Sequence, residues 1–429
     1  MEQTEKHLRA LHLATAFEAI ALGTASGLNG SQLYAIFSTS AAQSWTFNYV
    51  IPNLLSGKAL PFDVDEALDD IQEILKQANE CGFFSPMTSV VEQYLLSVKA
   101  SGGVHKYYET LGVSSLKQKN FTPSRLPSSS RKPTVGFVGL GAMGLGMASI
   151  LYKAGFAVKG FDVFPQSVEK FVTVGGQRAA SAAEAAIGVE VLLIMCATSA
   201  QADTILFGED GAASKMSKGA VVLLCATVAP SYITELNQKL ARSAIKLVDA
   251  PVSGGTYRAA SGELSIMCSG DTETLQIVSP VLNALAGKEE NVYVIEGKVG
   301  SGCKVKMVNQ VLAGTQCVCT AEALAFSVAR GLVAMDVYEW ISSSRGASWM
   351  WSNRGHHMVT GDFSPLSATT IFIKDMNIVV SEARRLGLPS VCSSMAQQLF
   401  ILSAAAGHSK DDDSSVVKVW EKACGIKTY

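Results

Sequence analysis

At 429 residues, 48% hydrophobic and 17% charged, the chain has ample apolar material for sizeable cores and is too long for one ordinary domain, which excludes wholesale disorder. Its 35 Lys+Arg nearly balance 37 Asp+Glu, a net charge of -2 with mixed signs, so there is no basic field to hold a nucleic acid. The longest apolar stretches, 189–197 and 220–230, fall short of the roughly 18 residues of a bilayer span, so a membrane is not expected as a partner either.

The N-terminus has neither a basic lead with an apolar core nor a transit-like composition, and a cytoplasmic location is expected. Nine scattered cysteines without a Cys-x-x-Cys spacing point to free thiols rather than disulfides or zinc, and no metal is expected.

In chain order, residues 1–112 echo the far end of the sequence. At a constant offset of 304, Glu18-Ala19 falls on Glu322-Ala323, Gly27-Leu28 on Gly331-Leu332, Ser44-Trp45 on Ser348-Trp349 and Gly57 on Gly361. A one-residue slip near Phe62 then sets Asp70 on Asp375 and Gly82 on Gly387. The segment 113–133 has seven Ser/Thr, three prolines, five basic residues and no acid, and reads as a flexible, solvated linker.

From Thr134, short apolar runs alternate with helix-compatible segments: 134–140, 157–161, 189–196, 220–226, 245–249 and 265–268. This predicts an α/β Rossmann-type doubly wound domain over 134–297. Beyond about Gly300 the strand-like runs stop, and 298–429 reads as all-helical. The expected fold is thus an α/β domain followed by an all-α domain, preceded by a second, orphan copy of the all-α domain at 1–112.

Three constellations carry chemistry. Gly139-Leu140-Gly141-Ala142-Met143-Gly144 follows a strand and opens a helix, the context in which Gly-x-Gly-x-x-Gly cradles a dinucleotide pyrophosphate. Asp162, ending the next strand, suits a ribose diol and would repel a 2'-phosphate, which favours NAD over NADP. In Asp249-Ala250-Pro251-Val252-Ser253-Gly254-Gly255 a turn offers backbone N–H groups and a hydroxyl to a carboxylate ligand. In the run from Gly300 to Gln310, Lys306, Asn309 and Gln310 stand at i, i+3 and i+4 on one helical face. His356-His357 suits a rim or substrate-pocket role better than a metal site, and Asp411-Asp412-Asp413 reads as a solvated turn or helix start.

These motifs, together with Lys374-Asp375, resemble the β-hydroxyacid dehydrogenases related to 3-hydroxyisobutyrate dehydrogenase, over 134–429. Gln310, where many relatives have Asn, and the runs Ser348-Trp349-Met350 and Ile371-Phe372-Ile373-Lys374-Asp375 look most like the L-threonate dehydrogenase branch. The chain is also similar to part of plant proteins that carry two such dehydrogenase units ahead of a kinase and an aldolase.

The resemblance implies that Lys306 is the catalytic acid/base, and such a lysine needs its pKa drawn down from about 10.4 towards neutrality. It implies that Ser253, Gly254, Gly255 and Asn309 hold the substrate, with Gln310 as a further contact. Cys196, Ala197, Gln201 and Thr227 would line the nicotinamide half of the cofactor, and Lys374 would reach the cofactor. Cys196-Ala197 replaces the Leu-Pro common in relatives, so that contact transfers weakly.

The helical domain is implied to mediate homo-oligomerisation. At offset 304 the N-terminal segment has Glu2 and Glu5 in place of Lys306 and Asn309, so it is expected to be noncatalytic. The expected activity is NAD-dependent oxidation of a small hydroxy acid resembling L-threonate. Glyoxylate, succinic semialdehyde or 3-hydroxyisobutyrate chemistry is an alternative within the class, and a noncatalytic assembly module is the alternative outside it.

Overall fold

A computed structural model describes residues 1–113, 124–127 and 129–429. They group into two compact units: Thr122–Lys306, and Met1–Phe121 together with Met307–Tyr429.

The N-terminal stretch is helical: α1 (Glu2–Ala25), α2 (Gly30–Phe37), α3 (Trp45–Ser56), α4 (Val64–Glu80), α5 (Pro86–Ala100) and α6 (Val104–Thr110). Local chemistry starts several of these. Asn29, Ser44 and Asp63 each accept a backbone N–H at the first turn of α2, α3 and α4, and Pro86 opens α5 where its missing N–H costs nothing. α1 is buried along almost its whole length, and His7, Arg9, His12 and Glu18 are buried along with its apolar residues.

The Thr122–Lys306 unit holds a six-stranded parallel sheet of β1 (Val135–Val138), β2 (Val158–Phe161), β3 (Gln177–Arg178), β4 (Val191–Ile194), β5 (Val221–Leu224) and β6 (Lys246–Asp249). Their order, β3-β2-β1-β4-β5-β6, reverses direction beside β1, which is where a doubly wound sheet opens a binding crevice. The intervening helices are α7 (Gly144–Lys153), α8 (Pro165–Thr173), α9 (Ala182–Ala186), α10 (Ser199–Phe207) and α11 (Pro230–Ala241).

Alternate strand residues feed two separate cores. Phe137, Leu193, Leu223 and Val248 face one side of the sheet, and Val138, Leu192, Ile194, Val222 and Leu224 face the other. Burial on both faces explains why these strands read as continuous apolar runs.

Two expectations need correction here, and a third is qualified. The run 265–268 does not join the main sheet: as β8 (Ser265–Cys268) it sits between β7 (Val252–Ser253), antiparallel, and β9 (Val292–Val294), parallel. α12 (Gly255–Ser261) and α13 (Thr272–Ala286) connect these strands.

In the expected linker, Ser124, Arg125, Ser130, Arg131 and Lys132 are exposed, as a solvated segment requires, but the segment also touches the α/β unit. Ser124 bridges to Val294, Leu126 is buried in the core, and Lys132 donates to the Ala154 carbonyl at 2.6 Å. Arg131 likewise donates to Glu190 at 3.2 Å. Residues 114–123 and 128 of that linker lie outside the described residues.

Finally, α14 (Ser301–Ala329) is long and apolar enough to span a bilayer, contrary to the reading of apolar run length. It is nevertheless a core helix, with 94% of its most apolar window buried inside the protein. Single polar residues broke its apolar run in the sequence, and the fold buries those residues too. α15 (Ala334–Ser342), α16 (His356–Thr360), α17 (Thr369–Arg385), α18 (Val391–Ser403) and α19 (Lys418–Cys424) complete the helical unit.

Candidate active site

The glycine turn forms directly after β1. Gly139 has φ +98°, and a Cβ there would strike the Met195 carbonyl, so only glycine fits. A Cβ on Gly144 would in turn strike the carbonyl of Gly139, which lets α7 start tight against the strand. By contrast, nothing lies within 4 Å of the Cβ position of Gly141, and Ala142 is exposed. Two glycines close the turn, and the middle one leaves its outer side open for a phosphate to approach the backbone, which fits a dinucleotide. Leu140 is buried and Met143 half-buried, so these two side chains hold the turn from beneath.

Asp162 stands at the end of β2, as expected, but with a second job. Its carboxylate accepts from the Leu140 N–H at 2.6 Å and from the Phe164 N–H at 2.8 Å, tying the strand end to the glycine turn. Gln201 is similarly occupied. Its side chain accepts from the N–H groups of Ala197 and Thr198 at 2.9 and 3.2 Å, while Thr198 caps α10 in return. Gln201 thereby ties the Cys196-Ala197-Thr198 loop to the first turn of α10 through its side-chain oxygen. Thr227 follows β5 and is half-buried.

At the start of α14, Lys306 is buried, 7% exposed, and its Nζ lies 3.4 Å from Ser253 Oγ. Ser253 ends β7, and Gly254 and Gly255 follow with φ +126° and +68°, a backbone that side-chain-bearing residues rarely adopt. The expected turn, hydroxyl and lysine therefore do meet.

Sequence reasoning missed the group that anchors this arrangement. Asp249 is fully buried at the end of β6 and accepts from the N–H groups of Gly300 and Cys303, each at 2.8 Å, and from the Ser269 hydroxyl. It thus satisfies the first turn of α14, one turn ahead of Lys306. Burial pushes its carboxyl pKa up, while those hydrogen bonds pull it down. The only signal in the sequence was an acid at a strand end before a proline turn, fifty residues from the helix it serves.

In the helical unit, Asn309 is 1% exposed, and its Nδ2 lies 3.5 Å from the hydroxyl of Ser40. Gln310 donates to Asp375 at 2.7 Å, and Asp375 also pairs with Lys374 at 2.8 Å. Gln310, offered from the sequence as a substrate contact, is thus bound to a buried carboxylate beside the lysine expected to reach the cofactor. Asp412 does start a helical turn, but the solvated reading fails: Asp412 and Asp413 are fully buried and pair with Arg354. A buried guanidinium drew them inward. His356 packs edge-on against Tyr338, and His357 meets the Asp362 carbonyl at 2.5 Å. No disulfide joins the nine cysteines, six of which are buried.

Residues 134–297 match the NAD-binding domain of 6-phosphogluconate dehydrogenase. Residues 4–111 and 300–420 each match the NAD-binding domain of NADP-dependent 3-hydroxyisobutyrate dehydrogenase. An L-threonate dehydrogenase of Cupriavidus necator is 41% identical over 286 residues, covering 67% of this chain and 95% of the relative. One from Escherichia coli K12 is 37% identical, covering 67% and 94%. The crystal structure of a 3-hydroxyisobutyrate dehydrogenase from Salmonella typhimurium superposes with a TM-score of 0.62 at 37% identity, covering 67% of this chain and 99% of that one. The chain is an NAD(P)-binding oxidoreductase and belongs to the β-hydroxyacid dehydrogenase family related to 3-hydroxyisobutyrate dehydrogenase.

Proposed function

We propose that the protein oxidises L-threonate, or a closely similar small sugar acid, to the oxo acid in the cytoplasm, with NAD favoured over NADP. The observation that carries the chemistry is the buried Lys306 Nζ beside the Ser253 hydroxyl, on a helix start clamped by Asp249. The substrate assignment draws on similarity to L-threonate dehydrogenases and on Gln310, the residue by which the sequence departs from many relatives.

Ser253, Gly254 and Gly255 hold the substrate through a hydroxyl and backbone N–H groups, and Asn309 binds it through its carboxamide. The bound dinucleotide supplies the acceptor for the hydride that leaves the hydroxyl-bearing carbon. Lys306 Nζ receives the proton of that hydroxyl, so the alkoxide never develops a full charge in a water-poor site. Gly139 to Gly144 cradle the pyrophosphate, Asp162 selects the ribose diol, and Lys374 contacts the cofactor. Residues 1–112 are a second, noncatalytic copy of the all-α domain, carrying Glu2 and Glu5 at the stations of Lys306 and Asn309.

Replacing Lys306 with Ala tests the core of this reading. Turnover should fall by at least about a hundredfold, the scale of general acid–base catalysis, with the NADH dissociation constant within twofold of the parent. A Lys306→Ala variant that keeps its turnover would overturn the mechanism. Screening L-threonate, its stereoisomers, glyoxylate, succinic semialdehyde and 3-hydroxyisobutyrate ranks the substrates.

A further inference from the structure

Residues 304 or 305 apart stand at counterpart positions in the helical unit, and several of their contacts mirror one another. Glu18 accepts from the N–H groups of Cys392 and Ser393 at 2.8 and 2.9 Å and from the Ser393 hydroxyl. Glu322, its counterpart, accepts from the N–H groups of Met87 and Thr88 at 2.9 and 2.7 Å and from the Thr88 hydroxyl. Ser44 bridges antiparallel to Ser348, its own counterpart. Trp45 N–H donates to the Ala347 carbonyl at 2.9 Å and Trp349 N–H to that of Gln43 at 3.0 Å. Contacts in which i meets j and the counterpart of j meets the counterpart of i are the mark of a two-fold interface, here closed within one chain.

Such an interface has two equivalent stations, and their chemistry differs. At one, Asn309 on α14 meets Ser40, from the turn between α2 and α3. That turn is pinned: Ser40 Oγ accepts from the Ala42 N–H at 3.2 Å, and Gln316 of α14 donates to the Ala42 carbonyl at 3.0 Å. At the other station Glu5 replaces Asn309 and Ser344 replaces Ser40. There the Arg345 guanidinium lies 3.4 Å from Glu5, and both line a pocket with Trp45 and Trp340. Where the first station offers a carboxamide steered by a hydroxyl, the second offers a carboxylate neutralised by an arginine.

We propose that the N-terminal helices serve as a built-in second subunit, and that their Ser40 is a positioning residue for Asn309. The Ser40 oxygen fixes the Asn309 carboxamide with its Nδ2 towards the turn, which sets the rotation of the group that binds substrate. The Glu5–Arg345 station is its silenced counterpart. The inference rests on the role given to Asn309 above.

The test uses the full chain and the best acid substrate from the screen. Ser40→Ala should raise KM for that acid about three- to tenfold, the effect of one hydrogen bond, with kcat and the NADH dissociation constant within twofold. Ser40→Thr, which keeps the hydroxyl, should restore KM, and Ser344→Ala should change nothing. If the Ala variant fails to fold, Ser40→Cys, close in size but a weaker partner, carries the same expectation. Unchanged KM in the Ser40 variants, or an equal rise in Ser344→Ala, overturns the inference. Failure of the unsubstituted chain to bind NADH or turn over any acid instead overturns the dehydrogenase reading on which it rests.

Discussion

Asp162 carries two tasks on one carboxylate. Both oxygens accept backbone N–H groups, from Leu140 and Phe164, so the group that would select the ribose also braces the glycine turn. Replacement with Asn separates the two, because an amide oxygen can still accept from Leu140 while the charge is gone. Asp162→Asn should narrow the ratio of kcat/KM for NAD over NADP by about tenfold, mainly through loss of repulsion of a 2'-phosphate. Steady-state kinetics with both cofactors measures this, and an unchanged ratio would strip Asp162 of its selecting role. The strand-end acid was legible because it stands at a fixed distance from the glycines. Its bond to Leu140 was not, since that depends on β1 and β2 lying side by side. Gln201 was obscured similarly: a local capping box engages the oxygen of a side chain that the family resemblance assigned to the cofactor.

At the scale of elements, the parallel strands were readable because burial on both faces makes them continuous apolar runs of four residues. The short β3 and β9 were not, having too few residues to show a pattern. α1 has a less visible property. His7 and His12 are both buried on it with pKa lowered to about 3, His7 by desolvation and then by the charge of His12, and His12 by desolvation. Unfolded, each binds a proton near pH 6.5, so between 6.5 and 3 the unfolded chain holds more protons than the folded one. Stability from these residues is complete above pH 6.5 and lost as pH falls, by about 1.4 kcal/mol per unit for each histidine. All five tryptophans lie in the helical unit, so thermal unfolding followed by their fluorescence reports on it. His12→Gln should lower the dependence of stability on pH between 6.5 and 5 by the share of one histidine. A slope as steep as that of the parent would show that His12 takes up no proton on unfolding.

For the whole molecule, the surplus length is the question, since these relatives match about two thirds of the chain and nearly all of their own length. The reciprocal Glu18 and Glu322 clasps suggest what that length does. Each carboxylate meets the first turn of a helix contributed by the opposite end of the chain, α18 for Glu18 and α5 for Glu322. An interface satisfied in this way leaves none of those helix starts for a second molecule. On this proposal, pairing within one chain takes the place of the homo-oligomer expected through the helical domain, and light scattering should give the mass of a single chain from low to high micromolar concentration. A concentration-independent mass of two chains would refute this unless the pair arose by exchange of the N-terminal helices. Mixing tagged and untagged protein discriminates the two, because exchange yields mixed pairs whose formation slows with the unfolding rate of the helical unit. Glu18→Ala and Glu322→Ala together should weaken the clasp on both sides, lowering the fluorescence-detected melting temperature by several degrees, since each carboxylate accepts three hydrogen bonds. If the double variant melts like the parent, the reciprocal contacts do not hold the N-terminal helices in place, and the second-subunit role given to them fails at its foundation.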